Sequence, residues 1–213
     1  MSRRLALVGV ASFLCFWACD ALAVLLAADD YSVRRDMVSA LAGRGSSVGW
    51  LGETAIAAFV VGHACAAAVM LTGWRTKLAG AVMGQGAFLM AGLLVFRGHC
   101  PEGEAGCGRG GNHVVDLGTT LHAVFGSTYL WMMLVGLLVP LASAYWERGP
   151  TRWVALSSVV AWLASSTAAS VFVDNGPTAG IWERLWLGSI AAWLLLVCLV
   201  GLRDARRGFE PRV

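Results

Sequence analysis

The stretch LGETAIAAFVVGHACAAAVMLT, residues 51–72, decides the fold of this chain. Its one formally charged side chain is Glu53, and its length matches the about 20 residues that a helix needs to cross a bilayer. Five further stretches of this kind lie at 5–27, 78–96, 117–142, 153–173 and 182–202. A soluble protein of 213 residues would not carry six of them. We therefore predict an all-α polytopic membrane protein, with six transmembrane helices in a single domain over residues 1–213.

The charged residues predict how this bundle is oriented. Ten of the sixteen basic residues lie in the two termini and in the turns at 73–77 and 144–152. Because cytoplasmic segments carry an excess of Lys and Arg, both termini are predicted to be cytoplasmic. In a bacterium this corresponds to a multi-pass protein of the cell (inner) membrane. We attribute the basic residues to topology, and we expect membrane lipids as partners and no nucleic acid.

The first outer loop, about residues 28–50, contains apolar residues at helical spacing. They are Val33, Met37, Val38 and Leu41. Ser32 is placed to cap the start of such a helix, and Gly43 and Gly45 to end it. The pattern predicts a short interfacial helix on the outer membrane surface.

Ionisable side chains gather at one depth, near the outer ends of the helices, and each is costly in or near a membrane. The candidate catalytic residues are Asp20, Asp36, Glu53, His122, Asp174 and Glu183. We expect His122 to face the bundle interior and to contact at least one of these acids, directly or through water. The alternative use of the group is interhelical hydrogen bonding and ion pairing, such as Arg184 with Asp174 or Glu183.

Metal binding is a weaker hypothesis for the same depth. Carboxylate and imidazole groups suit zinc, which makes His122, Glu53 and Asp20 candidate metal ligands. No HExxH motif and no nucleotide-binding or haem-attachment motif is present, so we predict no cofactor. His63, alone on an apolar helix, is predicted to be a packed and hydrogen-bonded side chain.

The six cysteines divide by location. Four lie in predicted helices, where they behave as small apolar residues. Cys100 and Cys107 lie together in the second outer loop, and we predict a disulfide between them because that loop faces an oxidising compartment. His99 and His113 flank the pair, so a zinc loop is the alternative.

Short motifs give the chain a family resemblance. They are Tyr31-Ser32 through Asp36, Ser39 with the glycine-rich turn at 43–47, a loop with cysteines and acids after the third helix, Leu121-His122, and the run Gly180 to Leu185. On these motifs the chain resembles the bacterial membrane family called domain of unknown function 998. The resemblance implies a six-helix bundle without an established activity. It also implies distant kinship with six-helix autophagy modulators, which points to interaction with lipids or partner proteins.

Three classes of function remain open at this point. The first is an integral membrane protein that binds lipid or serves as a small subunit of a membrane complex. The second is an intramembrane hydrolase or lipid-modifying enzyme that uses the outer acids and His122. The third is a small transporter, which is disfavoured because the sequence contains no evident inverted repeat or pair of broken helices. Acids that converge with His122 would favour the enzyme, and acids that are each paired separately would favour the binding role.

Overall fold

A computed structural model of the chain describes residues 3–27, 31–75, 77–98, 116–173 and 177–207. Within these residues every regular element is a helix, as predicted. The helices are α1 (Arg3–Leu26), α2 (Val38–Leu41), α3 (Gly49–Gly73), α4 (Lys77–Val95), α5 (Leu117–Gly136), α6 (Leu138–Ser143), α7 (Gly149–Val173) and α8 (Ala179–Arg207). Six spans in this part of the chain are long and apolar enough to cross a membrane, and the predicted six-helix membrane bundle is confirmed.

The fourth span differs from the single helix that we predicted. It runs from Leu117 to Ser143 but is interrupted at Leu137, so that α5 and α6 are two pieces of one span. Pro140 lies in the first turn of α6 and has no N–H group to donate to the carbonyl of Gly136. The missing backbone hydrogen bond explains why the helix is interrupted there.

Helix α3 lies at the centre of the bundle and packs against α1, α4 and α8, while α7 packs on α8. Aromatic side chains from α1, α3 and α5 meet in the core, where Phe13, Phe59 and Tyr129 are fully buried. Large apolar side chains such as Leu25, Trp131 and Val160 are exposed around the outside. This distribution fits a bundle whose outer surface is covered by lipid rather than water.

The helix of the first loop is shorter than predicted. Residues 33–36 form a turn, and only Val38–Leu41 is helical. Val38 and Leu41 are buried where this segment packs against α1, α3 and α8. The apolar residues of the loop therefore pack on the bundle, and the position of α2 at a membrane surface stays a prediction.

Candidate functional site

The outer end of the bundle, meaning the end that carries residues 31–48, is organised around Arg184 in the second turn of α8. The Arg184 guanidinium forms an ion pair with Asp20 of α1, with Nε–Oδ2 and Nη2–Oδ1 distances of 3.3 Å and 3.5 Å. Both side chains are about five-sixths buried, at 16% and 17% exposure. A pair this buried is maintained as a unit, because removal of one partner leaves an uncompensated charge.

Arg184 also binds the first loop. Its Nη1 donates to the carbonyl oxygens of Asp36 and Val33, at 3.1 Å and 3.4 Å, and its Nη2 donates to the hydroxyl of Tyr31. A further bond joins Nη1 to the carbonyl of Gly180, at 3.2 Å. Every nitrogen of the guanidinium therefore has an acceptor from the protein.

Tyr31 lies directly against this arginine. Its ring centroid is 5.9 Å from the guanidinium carbon of Arg184, and its hydroxyl donates to the carbonyl of Asp36 at 3.4 Å. Burial raises the pKa of Tyr31 to about 12, although the charge of Arg184 opposes the rise. The phenol is therefore neutral at ordinary pH and serves as a hydrogen-bonding group.

Glu183, the residue before Arg184 in α8, binds the same loop. Its carboxylate is buried and accepts a hydrogen bond from the N–H of Val38 at 2.5 Å. Val38 is the first residue of α2, whose N-terminal N–H groups have no partner within the helix. The prediction that Ser32 caps this helix is wrong, because the side chain of Glu183 supplies a cap from α8.

The backbone of the first loop also lies in close contact with the backbones of α8 and α3. The carbonyl of Arg34 accepts from the N–H groups of Gly180 and Ile181, at 3.1 Å and 3.4 Å. A Cβ atom on Gly180 would lie 2.3 Å from the carbonyl oxygen of Asp36, and one on Gly52 would lie 2.5 Å from the nitrogen of Ala42. Both contacts require glycine. We call residues 31–38 the loop strap, because α8 holds them through side chains and backbone together.

Asp36 stabilises the turn inside the loop strap. Its carboxylate accepts from the Ser32 N–H and from Nε of Arg35, each at 2.8 Å. Burial alone would raise the pKa of Asp36, but these hydrogen bonds outweigh it and lower the pKa. The Asp36 carboxylate is thus a structural acceptor.

Two more acids at the outer end have their own arginines. Glu53 of α3 pairs with Arg97, and Asp116 pairs with Arg44. Asp116 also caps α5 by accepting from the Thr119 N–H at 2.7 Å. The Thr119 bond and then Arg44 lower the pKa of Asp116 well below its usual range.

His122 does not join the acids in the part of the chain that the structure describes. It is half-buried, and its Nδ1 lies 2.8 Å from the carbonyl oxygen of Phe96 at the end of α4. Because a carbonyl only accepts, Nδ1 carries the proton and Nε2 is left as an acceptor. Within the described residues His122 is bonded to this backbone carbonyl, and its contact with an acid, directly or through water, stays a prediction. Asp174 lies outside the described residues.

The candidate acids that the structure describes are therefore held by different partners. Asp20, Asp36, Glu53 and Glu183 each have a separate base or backbone partner. Among the described residues, no three His, Cys, Asp or Glu side chains come together as a metal would require. The predicted disulfide partners Cys100 and Cys107 lie outside the described residues, as do His99 and His113. Cys15, Cys19, Cys65 and Cys198 are free thiols within helices.

The sequence analysis missed Tyr129, which lies beside His63 in the middle of the bundle. Both side chains are fully buried, with ring centroids 6.0 Å apart, and Phe59 packs against both rings. Neither ring nitrogen of His63 nor the hydroxyl of Tyr129 has a hydrogen-bond partner within the described chain. His63 is packed as predicted, but the predicted hydrogen bond is not formed there. A search for polar side chains in apolar stretches, rather than for charged ones, would have found Tyr129.

A groove of about 520 Å³ runs between α7 and α8 in their outer halves. It is lined by Leu163, Ala164, Thr167, Arg184, Leu185, Gly188 and Ser189. Leu163 and Leu185 are about half exposed, at 54% and 51%, and a Cβ atom on Gly188 would touch nothing within 4 Å. The hydroxyl of Ser189 is hydrogen-bonded to that of Ser165 at 2.7 Å, so this polar group of the groove lining already has a partner.

The fold and these contacts define a class: a six-helix membrane protein whose first loop is held by its last helix. The chain belongs to the family described as protein of unknown function (DUF998), whose family model matches residues 10–200. Comparison with the curated proteins gives no match. Comparison with the solved structures gives none either.

Proposed function

We propose that this protein is a non-enzymatic integral membrane protein that binds a membrane lipid, with one acyl chain in the groove between α7 and α8. The observation that carries the proposal is the groove itself, which lies within two membrane spans and is open on their lipid-facing side. Leu163 and Leu185 offer apolar walls, and Ala164 and Gly188 leave room between them. An acyl chain is the ligand that such a surface meets at the highest concentration.

The state of the acids supports a binding role over catalysis. A hydrolase needs an acid or base that is within reach of a substrate and able to exchange a proton. His122 keeps Nε2 as an acceptor, but in the described chain it is bonded to the Phe96 carbonyl and not to an acid. Asp20 and Glu183 are engaged by Arg184 and by the Val38 N–H. Groups that are fixed in this way stabilise the outer end of the bundle.

Lipid retention tests the proposal directly. The full chain, extracted in mild detergent from vesicles of known composition, would be analysed by native mass spectrometry for bound lipid. We expect the wild-type protein to retain a lipid and Gly188→Leu to lose most of it, because the leucine side chain fills the groove. Leucine at this position meets no neighbouring atom at its Cβ, so the fold should survive.

Gly84→Leu is the matched control. Gly84 lies within α4, outside the groove, and a Cβ atom there also meets nothing within 4 Å. The two variants therefore make the same chemical change at open helical positions. If Gly188→Leu retains as much lipid as Gly84→Leu, the proposal is wrong. If Gly188→Leu instead releases a co-purifying protein, the groove is a subunit contact, as in a small component of a membrane complex.

A further inference from the structure

The outer end of the groove lies near an exposed arginine, Arg34, that has no side-chain partner among the described residues. The Arg34 carbonyl is bonded to the N–H groups of Gly180 and Ile181 in the first turn of α8. The groove begins at Arg184 and Leu185, one helical turn or about 5.4 Å further along the axis. The Arg34 backbone is therefore attached about one helical turn from the groove entrance, and the Arg34 side chain is exposed.

The neighbouring cations differ in what they can still bind. Arg184 donates from all its nitrogens to protein acceptors, and Arg35 is bonded to Asp36. The side chain of Arg34 makes no hydrogen bond or ion pair in the part of the chain that the structure describes. Two N–H groups in the first turn of α8, those of Gly180 and Ile181, are also taken, because they donate to the Arg34 carbonyl. A guanidinium, rather than a helix terminus, is thus the group left to meet a ligand.

We propose that the groove selects a glycerophospholipid with a net negative headgroup, whose phosphate binds Arg34 while its acyl chain lies between α7 and α8. This inference rests on the proposed function. Guanidinium groups bind phosphate oxygens through paired hydrogen bonds, which a zwitterionic lipid also offers. The headgroup charge distinguishes the two lipids. The ammonium group of a zwitterionic lipid is repelled by Arg34, and an anionic headgroup carries no such group. The entrance thereby distinguishes lipids by headgroup charge, and the groove holds the chain.

A competition experiment tests the inference. The full chain would be reconstituted in vesicles with equal amounts of phosphatidylglycerol and phosphatidylethanolamine that carry identical acyl chains. After detergent extraction, native mass spectrometry gives the ratio of the two retained lipids. We expect phosphatidylglycerol to be enriched on the wild-type protein, and Arg34→Gln to reduce that enrichment about fivefold while total retained lipid changes little.

Arg152→Gln is the control for charge. It removes one exposed positive charge at the opposite end of the bundle, in the first turn of α7, and should leave the lipid ratio unchanged. Equal retention of the two lipids by the wild-type protein, or an unchanged ratio in Arg34→Gln, would overturn the headgroup inference alone. Retention that survives Gly188→Leu would instead overturn the acyl-chain groove, and the headgroup inference with it.

Discussion

Arg184 is the residue on which the outer end of the molecule depends, because it joins α1, α8 and the loop strap. We predict that Asp20→Asn lowers the free energy of unfolding by about 3 kcal/mol, since it leaves a largely buried guanidinium without its counter-charge. Unfolding of the detergent-solubilised protein by a denaturing detergent would measure the loss.

The pair of Arg35 and Asp36, whose arginine is largely exposed, provides the comparison for Asp20→Asn. The Arg35 side chain is 60% exposed, so we expect Arg35→Gln to cost less than about 1 kcal/mol. Equal losses in the two variants would show that burial does not make the Asp20–Arg184 pair more important than a surface pair.

For Tyr129 we predict a substitution that raises the free energy of unfolding. Its hydroxyl is buried among aromatic rings without a partner in the described chain. An unmet buried polar group costs about 1–3 kcal/mol, so Tyr129→Phe should raise the free energy of unfolding by about 1 kcal/mol. Tyr145→Phe, at an 84% exposed position, should leave it unchanged. A destabilised Tyr129→Phe variant would mean that the hydroxyl is hydrogen-bonded in the membrane.

At the scale of elements, the docking of the loop strap on α8 can be tested by adding one methyl group at Gly180. A Cβ atom on Gly180 would lie 2.3 Å from the Asp36 carbonyl oxygen, a backbone atom that cannot move without lifting the strap. We predict that Gly180→Ala increases trypsin cleavage after Arg34 and Arg35 several-fold, in protein that still unfolds cooperatively. Gly188→Ala, on the same helix but in open space, should be cleaved like the wild type. Equal resistance of both variants would contradict the tight docking of the strap.

Periodicity and length were sufficient to predict the elements but not their contacts. The six spans follow from apolar runs, which need no knowledge of neighbours. The glycine spacing of Gly80 and Gly84 indicates a packing face on α4, yet a Cβ atom meets a neighbour at Gly80 and none at Gly84. A spacing pattern shows that a close approach is feasible, and only the partner helix decides where it happens.

At the scale of the whole molecule, the sequence predicted a concentration of acids at one end but not their partners. Asp20 and Arg184 are separated by most of the chain, and no local pattern links them. The predicted partners of Arg184 were its sequence neighbours Asp174 and Glu183, whereas the fold brings α1 beside α8. Pairing between distant helices depends on their arrangement, which a single sequence does not encode in any short motif.

The orientation of the bundle is the remaining prediction at this scale. Six spans place both ends of the chain on one side of the membrane, and ten of the sixteen basic residues lie on that side. The positive-inside rule then makes the termini cytoplasmic and the loop strap external. Reporter fusions at the C-terminus and within residues 101–111 should report opposite sides, with the first in the cytoplasm. A fusion after Arg148, in the turn before α7, should agree with the C-terminal one. If the C-terminal fusion reported the outside, Arg34 would face the cytoplasmic leaflet, and the lipid that the groove selects would have to come from that leaflet.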